Sequence, residues 1–213
     1  MDQFLFHLIN ERWTHPALDL FMAAISDVEI WKPFLIVLGL CVLAFGGFKL
    51  RALIVCLGLA LLIADYFLVS TLKTAIDRRR PKQVQRVRMV QLERTQPRFL
   101  TLFKQPTIRY SDETDHNKSG PSFPSGHVTD NAIIATMCVL FFRKWGWLYL
   151  IIAAAVAWSR IYLGAHWPSD VVGTAFMAVG EALLVAALAE FLWKRLASRW
   201  RPEWFARHPR LIE

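Results

Sequence analysis

The chain has 213 residues, 55% of them hydrophobic and only 20% charged, with a mean hydropathy of +0.33. That is too apolar for an ordinary soluble domain, and it excludes a disordered, collagen-like or disulfide-scaffold chain. Lys and Arg number 25 against 17 Asp and Glu, a formal net charge of +8, so a basic, water-facing part coexists with apolar spans. In chain order, the start Met1-Asp2-Gln3 lacks the basic region of a cleavable leader. Two apolar patches follow, Phe4 to Ile9 and Ala17 to Ile25, divided by the polar stretch Asn10 to Pro16. They read as amphipathic helices lying in the membrane interface within residues 1–30. A sixth span would require them to merge, which puts Glu11, Arg12 and Asp19 at costly depths.

Five runs then approach the roughly 20 apolar residues that a bilayer requires: about 31–48, 52–72, 127–142, 147–163 and 171–193. The stretch 77–125, rich in Arg and Lys and holding five prolines, cannot cross a bilayer and is expected as an extramembrane loop. The expected fold is all-α. It is a polytopic membrane helical bundle of five strong spans with interfacial helices ahead of them, residues 1–213 forming one membrane-embedded domain. Cys41, Cys56 and Cys138 each sit inside an apolar run, where a thiol behaves as a small hydrophobe.

Lys49 and Arg51, Arg143 and Lys144, and Lys194, Arg195, Arg199 and Arg201 fall in short connections or at the end of the chain. With alternating spans they share one side, which the positive-inside rule makes cytoplasmic. The long loop then faces outward although it holds eleven Lys and Arg, among them Lys118, against five Asp and Glu. Such a surplus asks for an anionic substrate or an anionic lipid surface; no nucleic-acid partner is expected.

Three clusters converge on the loop side. Lys73 and Arg80 stand seven residues apart at the end of the second span, which would stack them two turns apart on one helical face. Snorkelling cations at a span end would look the same. Pro124-Ser125-Gly126-His127 opens the third span, with Ser125 as N-cap, Gly126 permitting close approach of an anion to free N–H groups, and His127 in the first turn. A plain cap with an interfacial histidine is the competing reading. Ser159-Arg160 closes the fourth span, and His166 and Asp170 flank Pro168 at the start of the fifth. A carboxylate there can take one imidazole N–H and leave the other nitrogen free as a nucleophile, or it can simply satisfy the helix dipole. Asp65 and Glu181 lie at membrane depth, where an ionisable group is functional by default. Asp112 to His116 reads as a solvated loop rather than a metal site.

Together these residues resemble the type 2 phosphatidic acid phosphatase (PAP2) superfamily, whose signature is K-x6-R-P, P-S-G-H and S-R-x5-H-x3-D. Here it stands as Lys73, Arg80 and Pro81; Pro124, Ser125, Gly126 and His127; and Ser159, Arg160, His166 and Asp170. The resemblance implies an integral membrane enzyme, by bacterial analogy of the inner membrane with its site facing the periplasm or exterior. It would hydrolyse the terminal phosphate of a lipid phosphate or diphosphate. In the family's terms His166 is the nucleophile, Asp170 its orienter and His127 the general acid, while Lys73, Arg80, Ser125, Gly126 and Arg160 bind the phosphoryl oxygens. No metal and no cofactor are implied. Undecaprenyl diphosphate, phosphatidylglycerol phosphate, phosphatidate and lipid A are all substrates the family offers. The signature is shared with the soluble vanadium haloperoxidases, which these apolar spans do not suit. A phosphotransferase with the same intermediate and a non-catalytic lipid-binding or transport protein are the alternative functions, and the intact histidine pair speaks against the second. The sequence is silent on oligomeric state.

Overall fold

The structure, a computed structural model, describes residues 1–116 and 120–212; Lys118, counted above among the loop cations, lies outside them. Helix α1 (Asp2–His7) runs on through a π-helical turn, Leu8–Arg12. Helix α2 (Pro16–Ser26) starts afresh, with Pro16 in its first turn and the His15 ring nitrogen Nδ1 accepting from the Ala17 N–H at 3.2 Å. At 1.5 Å per residue, α2 reaches only about half the depth of a hydrocarbon core. Asp27 ends it and caps α3 (Val28–Phe45), its Oδ1 accepting from the Glu29 N–H at 3.1 Å. The break between Arg12 and Pro16 keeps the two N-terminal patches in separate helices.

After the turn at Gly46 and Gly47, α4 (Phe48–Ile63), a π-helical stretch (Ala64–Val69) and α5 (Ser70–Ile76) form one rod. It stops at Asp77, whose φ of 41° is left-handed. Lys73 and Arg80 therefore do not share a helical face, contrary to their spacing: Arg80 sits in extended backbone ahead of the single turn α6 (Pro81–Val84). The polar loop also contains what its composition did not suggest, an antiparallel hairpin of β1 (Arg88–Gln91) and β2 (Thr107–Tyr110), with Arg88 opposite Tyr110 and Gln91 opposite Thr107. A 3-10 helix, Arg98–Phe103, lies between the strands, and the short α7 (Glu113–His116) follows. The chain then returns through α8 (Gly126–Phe141), α9 (Leu148–Tyr162), α10 (Pro168–Trp200) and α11 (Pro202–Arg207). The α3 helix, the α4–α5 rod and α10 are each long and apolar enough to cross a membrane. Helices α8 and α9 are shorter apolar segments at the positions where the third and fourth spans are expected.

Two cores organise this bundle. In the first, Ala60 and Ala64 meet Ala132 and Ile133 of α8 and Ala178, Ala182 and Ala186 of α10. Small side chains at i and i+4 let helix backbones approach closely where water cannot drive association. The second, nearer the polar loop, joins Phe6, Ile9 and Met22 of the N-terminal helices to Val87, Val128, Ile161, Tyr162 and Trp167. By contrast α3 is almost wholly uncovered by the rest of the chain, as lipid contact requires.

The two ends of the bundle differ in chemistry. At one end Phe48 stacks on His208 with ring centroids 4.1 Å apart, Lys49 lies over the Phe142 ring and Glu190 accepts the Leu211 N–H at 2.8 Å. This gathers the α3–α4 turn, the α8–α9 turn and the C-terminal segment. The signature residues lie at the opposite end, with the polar loop and the N-terminal helices.

Candidate active site

His166 lies in the tight connection from α9 to α10, and local geometry dictates its position. The N–H groups of Ala165 and His166 both reach back to the Arg160 carbonyl, at 3.0 and 3.1 Å, through Gly164 at φ 70°. A Cβ on Gly164 would come within 2.1 Å of Val87 Cγ1, so both the turn and the strand above it require glycine. His166 is 3% exposed, and its Nδ1 sits 2.6 Å from the Ser122 carbonyl oxygen. A carbonyl only accepts, so Nδ1 carries the proton and Nε2 keeps its lone pair. Burial, with the positive fields of Arg80 and Arg160, holds the imidazole well below the ordinary histidine pKa and therefore neutral.

Asp170 does not make the contact expected of it. Fully buried in the first turn of α10, it accepts from the Ser122 hydroxyl (2.5 Å), the Trp167 N–H (3.0 Å) and Arg78 (2.6 Å). The direct partner of His166 is the Ser122 backbone, and Asp170 reaches the histidine only through that residue. The reason is local: Asp170 is drawn back onto the N–H ahead of its own helix, as a carboxylate in the third helical position commonly is.

Ser125 also departs from its expected role. It occupies the N-cap position of α8, yet its hydroxyl makes no capping bond; the buried Oγ has no hydrogen-bond partner, while its N–H donates to Thr174 at 3.1 Å. Gly126 faces open space where a Cβ would stand. The Arg160 Nε is likewise buried without a partner, while its Nη1 bonds the Ser26 hydroxyl. Arg80 is gripped by carbonyls alone, those of Gly120 (2.8 Å), Pro121 and Ala165 (both 3.3 Å). Lys73, at the end of α5, has no side-chain partner within bonding distance among the described residues. Two of the buried side-chain atoms without a hydrogen-bond partner among the described residues, Ser125 Oγ and Arg160 Nε, thus belong to signature residues.

His127 stands in the first turn of α8 with Nε2 3.0 Å from the Ser26 carbonyl oxygen. By the same logic that nitrogen bears a proton. The α2–α3 junction thus covers both His127 and Arg160, and Asp27 continues the contact by pairing with Arg98 of the polar loop. A cavity of about 420 Å³ opens here, with Ser26, Asp27, Glu29, Leu92, Arg98, His127 and Arg160 on its walls. Among the described residues no three His, Cys, Asp or Glu side chains converge as a metal cage would need. Glu181, with both carboxylate oxygens buried and unpartnered, lies about 16 Å farther along α10 than Asp170 and outside this constellation. The residues that sequence reasoning missed are Ser122, Arg78 and Ser26. Only Ser122 and Arg78 carried a hint, one lying just ahead of the P-S-G-H motif and the other inside the K-x6-R-P spacer.

Comparison with known proteins places the chain in a family. The chain is 36% identical over 81 residues to undecaprenyl-diphosphatase BcrC of Bacillus subtilis (strain 168), 38% of each chain. It is 25% identical over 190 residues to lipid A 4′-phosphatase of Bacteroides thetaiotaomicron, 86% of this chain and 75% of that one. The matched part spans less than half the length of each undecaprenyl-diphosphatase relative. The crystal structure of Aquifex aeolicus LpxE shares the fold with a TM-score of 0.58 at 24% identity, covering 86% of this chain and 93% of that one. The PAP2 superfamily profile matches residues 51–187, a stretch that holds every signature residue, and the chain belongs to that superfamily.

Proposed function

We propose that this chain is a membrane lipid phosphatase that removes the terminal phosphate of a lipid phosphate or diphosphate through a phosphohistidine on His166. The observation that carries the reading is the pairing of a neutral, aimed imidazole with buried donors that have no partner. The His166 Nδ1 proton is committed to the Ser122 carbonyl, Arg80 and Arg160 lie close enough for their positive fields to act on the ring, and Ser125 Oγ and Arg160 Nε have no hydrogen-bond partner among the described residues. In the first step the Nε2 lone pair of His166 forms a bond to phosphorus as the phosphorus–oxygen bond to the lipid breaks. His127, protonated on both ring nitrogens and held through Nε2 by the Ser26 carbonyl, passes its Nδ1 proton to the departing oxygen and becomes neutral. In the second step water attacks phosphorus, the phosphorus–nitrogen bond breaks, and His127 takes a proton from the water. Lys73, Arg80 and Arg160, with the Ser125 hydroxyl and the free N–H groups at the start of α8 around Gly126, stabilise the charge on the non-bridging oxygens.

The relatives' own substrates, undecaprenyl diphosphate and lipid A, support a polyprenyl or acyl lipid phosphate as the class. The site would face the periplasm or cell exterior of a bacterial inner membrane, because the short-loop cations gather at the opposite end of the bundle. The test is phosphate release from a panel of lipid mono- and diphosphates in detergent, with and without EDTA, with acid-quenched samples examined for phosphohistidine. Chelation should leave the rate intact, and His166→Ala should abolish both turnover and the phosphohistidine. Turnover by folded His166→Ala protein, or a rate restored only by a divalent ion, would refute the mechanism.

A further inference from the structure

We infer that Ser122 and Arg78, neither of them in the PAP2 signature, are the positioning residues that aim the nucleophilic imidazole. This rests on His166 being the nucleophile. The chain of contacts is continuous and buried at its centre. His166 Nδ1 donates to the Ser122 carbonyl at 2.6 Å; the Ser122 hydroxyl donates to Asp170 Oδ2 at 2.5 Å; Arg78 Nη1 holds Asp170 Oδ1 at 2.6 Å. A second link closes the ring, since the Ser122 N–H donates to the Arg78 carbonyl at 2.6 Å. Ser122 is thus fixed through its N–H and its hydroxyl, and its carbonyl holds the His166 ring nitrogen Nδ1.

Arg78 in turn is held from outside. Its Nη2 pairs with Asp2 of α1 at 2.7 Å, so the first helix of the chain braces the arginine against α10. The geometry explains why a carboxylate that never touches the histidine still matters to it. Asp170 fixes the Ser122 hydroxyl, and movement of that hydroxyl moves the carbonyl on the same residue. In a near-attack geometry a displacement of about 1 Å costs on the order of 100-fold in rate, so loosening this ring should act on turnover rather than on binding. The side chains of Lys73, Arg80, Arg160 and Ser125 are not members of the ring, and Arg80 meets it only through the backbone carbonyls of its neighbours Gly120, Pro121 and Ala165.

The experiment uses the full chain in detergent with a short isoprenyl diphosphate. Ser122→Ala and Arg78→Gln should each lower kcat about 10- to 100-fold while KM stays within about twofold. Arg78→Lys, which keeps a cation against Asp170, should recover most of the loss. The double variant Ser122→Ala/Arg78→Gln should lose no more than the worse single variant, because both break one ring; separate effects would multiply. Arg78 is partly exposed, so its variants keep the test open should Ser122→Ala fail to fold. Wild-type kcat in both single variants, or multiplied losses in the double, overturns the assignment while leaving His166 as nucleophile. Retained turnover in His166→Ala overturns the nucleophile itself and this assignment with it.

Discussion

Asp19→Ala should destabilise the protein strongly. Asp19 Oδ2 pairs with Arg88 Nη2 at 2.7 Å, with side chains 3% and 9% exposed, and its Oδ1 accepts from the Tyr162 hydroxyl at 2.6 Å. The Arg88 guanidinium already has one nitrogen, Nη1, buried without a partner, and without Asp19 it keeps only the neutral Tyr162 beside it. Removing one member of a buried pair leaves an uncompensated charge and costs about 3–5 kcal/mol. For a chain of this length each kcal/mol lowers Tm by about 2–4 °C, which gives a drop of roughly 6–20 °C. The nine tryptophans make intrinsic fluorescence on heating in detergent a suitable assay. The double variant Asp19→Leu/Arg88→Met is the control: replacing a buried pair by apolar groups is often close to neutral, so it should melt near the wild type. The single variant should also lose activity, because α2 carries Ser26 to His127 and Arg160. A single variant that melts within about 2 °C of wild type would show that the pair is solvated and the reasoning wrong.

Ser125→Ala and Arg160→Lys should each cut kcat by about 10²- to 10³-fold, the usual loss for one preorganised donor to a developing oxyanion; steady-state rates near wild type would remove them from the site. Because the His166 pKa is depressed by burial and by Arg80 and Arg160, the imidazole stays neutral below pH 6.5, and the acid limb of kcat/KM should fall below that pH. The sign for stability follows: the unfolded chain takes up this proton first, so the folded state loses stability as pH falls from the unfolded value near 6.5 toward the depressed folded value. A pH series of melting curves, compared with His166→Phe, reads this out. His127→Ala should lose far more rate on an alkyl monophosphate than on an aryl phosphate, whose oxygen leaves without help; equal losses would withdraw the general-acid role. In a Cys41→Ser background, Gln105→Cys in the polar loop should react with an impermeant maleimide on intact spheroplasts and Ser198→Cys should not; the reverse pattern would invert the orientation.

The signature residues, and the end of the bundle where they gather, were legible because motif spacing and helix-end chemistry are local. Pro168 starting α10, Asp170 in its first turn and Arg160 near the end of α9 follow from proline, capping and periodicity alone. The roles within the site were not legible, because they depend on contacts between distant parts of the chain. Ser122 meets Asp170 across 48 positions and Arg78 meets it across 92, and no pattern in a window of residues encodes either pairing. The hairpin escaped for a related reason. Its first strand begins with a charged Arg88, which reads as loop until Asp19 arrives from α2 to neutralise it.

The same pairings offset part of the loop's excess of positive charge, which sits awkwardly with the outward-facing site proposed above. Five of the cations outside the signature are matched: Arg78 by Asp2 and Asp170, Arg88 by Asp19, Arg98 by Asp27, Lys104 by Glu93 and Arg109 by Asp115. In the last pair the guanidinium holds the Asp115 carboxyl down at about 2, so that pair persists through the physiological range. Three of these carboxylates, Asp2, Asp19 and Asp27, come from the N-terminal helices and not from the loop, so counting charge over residues 77–125 alone overstates what the loop shows to its surroundings. The signature cations are treated differently. Among the described residues Lys73, Arg80 and Arg160 have no carboxylate within ion-pair distance; carbonyls hold Arg80 and a hydroxyl holds Arg160. Neutral partners position a cation without cancelling its field, whereas a carboxylate would compete with an incoming phosphate. Among the described residues the fold thus sets carboxylates against Arg78, Arg88, Arg98 and Arg109, which tie the loop to the bundle and to itself, and neutral partners against Arg80 and Arg160, as the proposed phosphate site requires.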